Sequence, residues 1–379
     1  MKTIKLSLVE NYVAHWSWWE ATRELLQNAI DTEDFDVSFF ESKIIITSNG
    51  GKLPVSALLM GKSSKQDDDS KIGKFGDGLK CGLLVLNRLG AKVSIENGKD
   101  LWEPVMIYDE TFEERVLSIV IREDALENAP EYRVRTIIEG IPSSAMVQIK
   151  KNYAPARDLE IIVEDENYGK AYKKNNDHNC RLYVNGLFIT EVKGKYKFDY
   201  DFPPATFTLD RDRNQVSEFE VRWNATRLLT QSDDILMLAD LGVGAYDDLE
   251  HYDHQADQSY YSRGYEPETL EERAVDLFKE KNGYKAFPVN ENWSQERKRL
   301  VTEMAIQNGL TPVTVKKAAY HMLKKEFAVP ETVNEIVEFK ALDYLEKFFA
   351  KYSRVLYSKP KKELENTIKM LKIAKGVSK

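Results

Sequence analysis

The first part of the chain changes repeatedly between two hydrophobic patterns. The segment WEATRELLQNAID places its apolar residues on one stripe, at the spacing of an amphipathic helix. Short apolar runs that end in turn residues, among them DVSFF, KIIITSN and RVLSIVIRED, predict strands. The glycine-rich stretch KIGKFGDG leads into the apolar pattern LKCGLLVLNRLG, which predicts a second helix. This order predicts an α/β (α+β) domain over residues 1–141, with a mixed sheet and helices packed in layers.

Three further segments follow, each with its own pattern. Residues 142–230 contain the strand-turn-strand pattern CRLYVNGLFITEV around Asn185-Gly186 and a later helical stretch, which predict a second α/β domain. Residues 231–269 are dense in Asp, Glu and Tyr and predict an acidic connecting segment. Residues 270–379 have helical periodicity and a locally basic end, which predict a helical C-terminal domain.

Composition narrows the class of protein. Of the 379 residues, 42% are hydrophobic and 31% charged, as in ordinary globular proteins, and the formal net charge is -8. This charge argues against a protein that coats nucleic acid with its whole surface, although it permits local basic patches. Cys81 and Cys180 are too few for a disulfide framework and indicate a reducing, cytoplasmic compartment. The first residues are charged where a secretory signal is apolar, and no apolar run is long enough for a membrane span.

A polar face runs along the first predicted helix. Glu24, Asn28 and Asp31 are spaced at i, i+4 and i+7, which places them on the same side of the helix. The ordinary explanation of such a face is exposure to solvent. The alternative is that two carboxylates and an amide are held in register for a ligand.

A glycine-rich turn precedes the second predicted helix. Gly73, Gly76 and Gly78 permit tight turns and a close approach of the backbone to a ligand. The helix that follows would present unpaired N–H groups and a partial positive charge, which favour phosphate, and Lys80 adds a cation. A glycine-rich turn without any ligand is the alternative.

These motifs together resemble those of a known superfamily. ELLQNAID resembles the motif E-x-x-x-N-x-x-D, and IITSNGGKL resembles the strand and turn of D-x-G-x-G. SSK followed by IGKFGDGLK resembles a lid and a third glycine-rich motif. In this order, over roughly the first 140 residues, they resemble the GHKL ATPases: gyrase B subunits, heat-shock chaperones, sensor histidine kinases and MutL proteins. The resemblance is closest to the microrchidia branch and to phage rIIA-like proteins.

The resemblance implies a Bergerat-type ATP-binding sandwich that uses ATP and Mg²⁺. It implies that Glu24 is the general base that activates water, and that Asn28 is a ligand of Mg²⁺. Asp31 would tether neighbouring backbone, and the glycines would cradle the phosphates. The implied nucleotide contacts are Asn28, Asp31, Ser48, Asn49, Gly50, Lys65, Gly73, Lys74, Phe75, Gly76, Asp77, Gly78, Leu79, Lys80, Thr136, Arg211 and Arg213.

The sequence departs from the superfamily pattern in the second motif. Ser48 stands where the superfamily has an aspartate that reads the adenine amino group, and Lys52 stands where a glycine is expected. A serine can hydrogen-bond the base but is not a charged acceptor, so adenine specificity is reduced in this interpretation. Thr136 is the candidate for the fourth motif, a threonine on a later strand, with Thr47 as its rival.

The second domain and the tail extend the interpretation. By resemblance the second domain is transducer-like, with Arg211, Arg213 and Gln215 in TLDRDRNQVSE sensing phosphate; an ordinary charged surface loop is the alternative. The segment VTEMAIQNGLTPVTVKKAAYHML faintly resembles a helix-turn-helix, a pattern that ordinary helical hairpins also satisfy. The tryptophans beside the first helix predict core packing, or else a dimer arm.

These observations predict a Mg²⁺-dependent ATPase that binds ATP under a mobile lid and hydrolyses it slowly. Closure or homodimerisation would then act on an unidentified macromolecular partner, and no membrane is expected. One alternative is a degenerate nucleotide-binding interaction factor, such as a phage-encoded regulator of a host protein. Another is an ATP-gated nucleic-acid clamp, whose binding would weaken steeply with salt.

Overall fold

The computed structural model of the protein confirms the mixed α/β class. A large antiparallel sheet, a smaller mixed sheet and a set of helices make up the chain, with a helical region towards the C-terminus. The chain separates into two compact units, Met1–Asn224 and Ala225–Lys379. The boundaries expected at residues 141, 230 and 269 would subdivide these units and stay predictions. The structure describes residues 1–59, 76–174, 179–207, 216–232, 234–244, 246–252, 267–327, 345–353 and 357–374.

A seven-stranded sheet forms the base of the first unit. Its strands are β1 Lys2–Val9, β2 Phe35–Phe39, β3 Lys43–Ser48, β4 Lys92–Asn97, β5 Asp100–Asp109, β6 Glu114–Arg122 and β7 Val134–Glu139. Their order is β1-β6-β5-β4-β7-β3-β2, and every pair among these described strands is antiparallel. Buried and half-buried side chains alternate along β3, β4 and β7, so one face of the sheet is apolar.

Three helices cover the apolar face of this sheet. They are α1 Trp18–Ile30, α2 Gly78–Arg88 and α3 Ser143–Asn152. The first contacts both of the others and also β3, while α2 contacts β4 and β5. Fully buried leucines of α1 and α2 pack with isoleucines of the sheet in one core. The apolar stripes read from the sequence therefore face the sheet.

A five-stranded sheet follows within the first unit. Its strands are β8 Ile161–Asp165, β9 Gly169–Lys173, β10 Cys180–Val184, β11 Leu187–Val192 and β12 Phe198–Phe202, in the order β11-β10-β12-β9-β8. β10 and β12 are parallel neighbours. The predicted turn between β10 and β11 is confirmed, since Asn185 and Gly186 have φ of +50° and +79°. Helix α4, Glu218–Leu229, comes next in the chain.

The second unit is mainly helical. Its helices are α5 Ile235–Gly244, α6 Pro267–Asn282, α7 Gln295–Gln307, α8 Lys317–Leu323 and α9 Ser358–Ala374. Two short strands, β13 Ala286–Asn290 and β14 Thr311–Val315, pair in parallel around α7. No helix within the described residues is long and apolar enough to cross a membrane.

The structure does not bear out the faint resemblance to a helix-turn-helix. The segment between its two helices is not a turn, because Thr311–Val315 forms β14 and pairs with β13 over five residues. Lys316 is the N-cap of the helix that follows, α8, and forms an ion pair with Asp247. The sequence pattern could not reveal this, because the partner strand lies before α7 and the pairing is a contact distant in sequence.

Candidate functional site

The start of α1 is fixed by its own sequence. Ser17 is the N-cap: its side chain accepts from Trp19 N–H, and its own backbone N–H donates to Oε2 of Glu20 at 2.8 Å. This capping box fixes the register of the helix and therefore the direction of Glu24, Asn28 and Asp31. Glu24 and Asp31 are buried, with 7% and 6% of their surface exposed. The face that they share is therefore not a solvated one.

Glu24 is held by the residue before it. Nε and Nη2 of Arg23 donate to Oε1 of Glu24 at 3.2 and 3.1 Å, and both side chains are buried. The Arg23 guanidinium also lies over the ring of Trp16, 5.9 Å from its centroid. Burial of a carboxylate is costly unless such a partner forms hydrogen bonds with it. Arg23 thus orients the carboxylate through one oxygen.

The other carboxylate oxygen faces the first residue of α2. A Cβ placed on Gly78 would collide with Oε2 of Glu24 and would lie 3.2 Å from its Cδ. A side chain at position 78 would therefore separate the start of α2 from the carboxylate. Glycine at this position lets the helix N-terminus lie directly against Glu24.

The N-terminus of α2 has the electrostatics of an anion site. Its N-cap, Asp77, makes no side-chain capping bond to the described first turn, and that turn contains no acidic residue. Gly76 has φ of +73°, which glycine adopts without strain. The first turn of an 11-residue helix presents backbone N–H groups and a partial positive charge. These groups lie beside the buried carboxylate of Glu24.

The side chain of Lys80, in the first turn of α2, is directed into the protein and not towards solvent. Its Nζ donates to the carbonyl oxygens of Ala57 at 3.0 Å, Leu59 at 2.8 Å and Gly76. The side chain is fully buried, and this burial lowers its pKa, opposed by the nearby charge of Asp77. In this conformation the ammonium is bound by the protein's own main chain.

The turn after β3 packs beside the end of α1. The backbone N–H of Asn49 donates to Asp34 O at 2.9 Å, and its Nδ2 donates to Asp34 Oδ1 at 3.1 Å. A Cβ on Gly50 would lie 2.7 Å from Cβ of Thr32. Ser48, the last residue of β3, is half-buried directly before this turn. The second motif therefore lies beside the segment that follows Asp31.

The register of β3 and β7 separates the two candidate threonines. Ile46 pairs with Thr136 and Ser48 with Val134, so Thr136 and Ser48 share the face of the sheet that carries the helices. Thr136 is buried there. Thr47 points to the opposite face because side chains alternate along a strand. The geometry favours Thr136 over Thr47 as the residue near a ligand between sheet and helices.

Asn28 is bound to its own helix through one atom of its amide. Nδ2 of Asn28 donates to the carbonyl oxygen of Glu24 at 2.9 Å. This bond occupies the nitrogen and leaves the oxygen as the ligand atom of the amide. Asn28 is half-buried, whereas Glu24 and Asp31 are buried.

Several predicted residues cannot be placed. Within the described part of the chain, no group of three or more His, Cys, Asp or Glu residues is arranged to hold a metal ion. The predicted residues outside the described part are Lys65, Gly73, Lys74, Phe75, Arg211, Arg213 and Gln215.

Three residues that support the site were missed by sequence reasoning. Arg23 pairs with Glu24, and Asn97 fixes the loop after β3 by accepting from Leu53 N–H at 2.7 Å and donating to its carbonyl at 2.9 Å. Arg88, at the end of α2, donates to four backbone carbonyls between residues 10 and 16. Only Arg23 had a local signal, its position next to the motif glutamate. The other two act through contacts distant in sequence.

Comparison with known proteins adds little to this geometry. No protein-family model matches the chain. The chain is similar to a protein of Mycoplasma pneumoniae that is described as an uncharacterized protein. The two are 24% identical over an alignment of 238 positions, and the match covers 59% of this chain and 95% of the Mycoplasma protein.

Proposed function

We propose that the protein is a Mg²⁺-dependent ATPase of the GHKL kind. The observation that carries this proposal is the contact between α1 and α2, where a glycine brings a helix N-terminus against the buried carboxylate of Glu24. A helix N-terminus favours phosphate, and a carboxylate beside it can activate water. This combination suits hydrolysis of a phosphoanhydride better than either feature alone.

In the proposed reaction, Glu24 accepts a proton from the attacking water. The water oxygen bonds to the γ-phosphorus while the bond to the β-phosphate oxygen breaks, which releases ADP and inorganic phosphate. We assign the base to Oε2 because it is the oxygen that lies against Gly78 at the start of α2. The backbone N–H groups at the start of α2 stabilise the charge that develops on the phosphate.

The residues present suit Mg²⁺ bound together with a nucleotide. Asn28 would contribute its amide oxygen, a hard ligand of the kind that Mg²⁺ prefers, and phosphate oxygens and water would complete the shell. Bound there, Mg²⁺ would neutralise phosphate charge. Asp31, Ser48 and Thr136 lie around the same end of α1 and β3 and would contact the rest of the nucleotide.

A second candidate is a nucleotide-gated switch that binds ATP without hydrolysing it. The Arg23–Glu24 pair favours it, because two N–H groups of the guanidinium already occupy Oε1 of the carboxylate, as in an ion pair with a structural role. The two candidates share the nucleotide-binding site and differ in whether Glu24 catalyses hydrolysis of the bound ATP.

Calorimetric titration of ATP with Mg²⁺, together with phosphate release, tests both candidates. Glu24→Gln keeps the shape of the side chain and removes the base, so we expect binding within about threefold of wild type and release reduced at least about 100-fold. Glu123→Gln, a change to an exposed glutamate of the same unit, is the matched control and leaves both unchanged.

The outcomes separate the proposals. Binding by wild type without phosphate release would favour the switch. Release that survives Glu24→Gln would contradict the role of Glu24. Failure of wild type to bind any nucleotide would reject both candidates and direct attention to the second unit.

The wider function is proposed on the resemblance alone. Closure around ATP or pairing of two copies would act on a macromolecular partner in the cytoplasm. Nucleic acid is the less favoured partner now that the helix-turn-helix is absent from the described residues 301–323. A steep fall of binding with salt would support a nucleic-acid clamp.

A further inference from the structure

Lys80 is an unusual lysine because no part of it reaches solvent. A lysine ammonium has three N–H donors, and here three carbonyl oxygens accept from it. Two of these acceptors belong to Ala57 and Leu59, at the end of the 3-10 turn Val55–Leu58. The third belongs to Gly76, two residues before α2 begins at Gly78. The ammonium therefore joins two parts of the chain that are distant in sequence.

The three hydrogen bonds of Lys80 to described residues all go to main-chain carbonyls, and the carboxylate whose charge acts on it is that of Asp77, the N-cap of α2. Burying a charge is costly, and an apolar side chain of similar volume would often serve stability as well or better. The cost suggests a role for the ammonium beyond packing. The positions of the three carbonyl groups in the chain indicate this role.

The position of Gly76 sets the position of the anion-binding turn. Gly76 lies two residues before Gly78, which abuts Glu24. A bond from Lys80 to the Gly76 carbonyl, anchored on Ala57 and Leu59, fixes the main chain at the start of α2. The N–H groups of that turn are thereby held at a constant distance from the Glu24 carboxylate.

We propose that Lys80 is a positioning residue that fixes the phosphate-binding turn at the start of α2 by bonding its main chain to the 3-10 turn Val55–Leu58. It does not itself contact phosphate. The functional consequence of this inference rests on the proposed nucleotide site. The three hydrogen bonds from Lys80 to the carbonyls of Ala57, Leu59 and Gly76, here called the clasp, can be tested without any nucleotide.

The test uses Lys80→Met, which keeps the length of the stem and removes the ammonium. Hydrogen exchange of the full chain without nucleotide should become faster by at least about tenfold in peptides covering residues 55–59 and 76–81, because local opening there costs less. Lys92→Met, a change to an exposed lysine of β4, is the control and should leave these rates unchanged. Unchanged exchange in Lys80→Met would overturn the clasp.

Nucleotide affinity separates positioning from direct contact. Calorimetry with ATP and with ADP, each with Mg²⁺, should show both affinities falling about tenfold in Lys80→Met with their ratio preserved. A loss confined to ATP would overturn the proposal, because it would make Lys80 a ligand of the γ-phosphate. If wild type binds neither nucleotide, the proposed function fails, and the exchange result still decides the clasp.

A folding failure is also informative. Lys80→Gln, which can still donate to one carbonyl, replaces the methionine variant if that variant does not fold. Unfolding of both variants, with Lys92→Met folded, would overturn the proposal because Lys80 would then be a residue of overall stability.

Discussion

Two buried carboxylates of the first unit, Glu24 and Asp201, share several features and differ in what surrounds them. Each lies beside a glycine that has no room for a Cβ, Gly78 in one case and Gly169 in the other. Glu24 is on a helix, is paired with the side chain of an arginine and faces a helix N-terminus. Asp201 is in β12 and accepts from Gly186 N–H at 2.9 Å and from the hydroxyl of Tyr172 at 3.3 Å.

The difference lies in what each glycine meets. At Gly78 a Cβ would strike the end of the Glu24 side chain, which can turn away. At Gly169 it would strike the carbonyl oxygen of Asp201 and the Cα of Phe202, which belong to a paired strand and cannot move. One glycine makes room for a side chain, and the other makes room for a strand. Burial of a carboxylate therefore does not by itself identify a functional site. The group that the neighbouring glycine accommodates, a side chain or a strand, must be known as well.

The largest expected effect is that of Gly169→Ala. The residue has φ of +100°, and its Cβ would collide with main chain, so we expect a loss of at least about 3 kcal/mol in the free energy of unfolding. Urea denaturation measures it. The control is Gly90→Ala, with φ of +83° and nothing within 4 Å of its Cβ, which should cost only about 1 kcal/mol. Equal losses would contradict the collision.

The next effect is that of Gly78→Ala, which should spare the fold and damage the site. Alanine suits a helix, and the colliding group is a flexible carboxylate, so stability should stay within about 1 kcal/mol of wild type. The displaced Glu24 should reduce phosphate release about 100-fold. Unfolding and phosphate-release assays on the same preparation measure the two. A stability loss as large as that of Gly169→Ala would remove the contrast between the two glycines.

Asp201 should make stability fall as pH rises. Burial raises its pKa to about 6, opposed by the hydrogen bonds from Gly186 and Tyr172, against an ordinary value of 3.8. The folded state holds the proton of Asp201 more tightly than the unfolded state does. The protonated carboxyl therefore adds to the free energy of unfolding below the unfolded pKa, and this added stability is lost as pH rises through 6. Between pH 5 and 8 this amounts to about 1 kcal/mol. Urea denaturation across this range should show that slope in wild type and not in Asp201→Asn.

A feature of the structure could be predicted from the sequence where it depends on residues close together in the chain. The spacing of apolar residues and the glycines located α1, α2 and the Asn185-Gly186 turn, because period, cap and turn chemistry act within a few residues. The partner of β14 and the burial of Lys80 could not be predicted, since each depends on chain that is distant in sequence. The polar face of Glu24 was visible as a pattern, but its burial and its contact with Gly78, which distinguish it from a solvated face, depend on α2 and could not be predicted.

The smallest effect concerns the identity of the base, and it applies to the Glu24 region alone. Wild type should distinguish ATP from GTP only weakly, because the hydroxyl of Ser48 can both donate and accept. Ser48→Asp introduces a charged acceptor that favours the adenine amino group, so ATP should gain about fivefold over GTP in calorimetric affinity. Asp201→Asn serves as the control, because a carboxylate bound only to its own sheet should leave this ratio unchanged. A gain for GTP, or no change in the ratio, would mean that Ser48 does not face the base. The Glu24 region would then bind phosphates without reading the nucleotide attached to them.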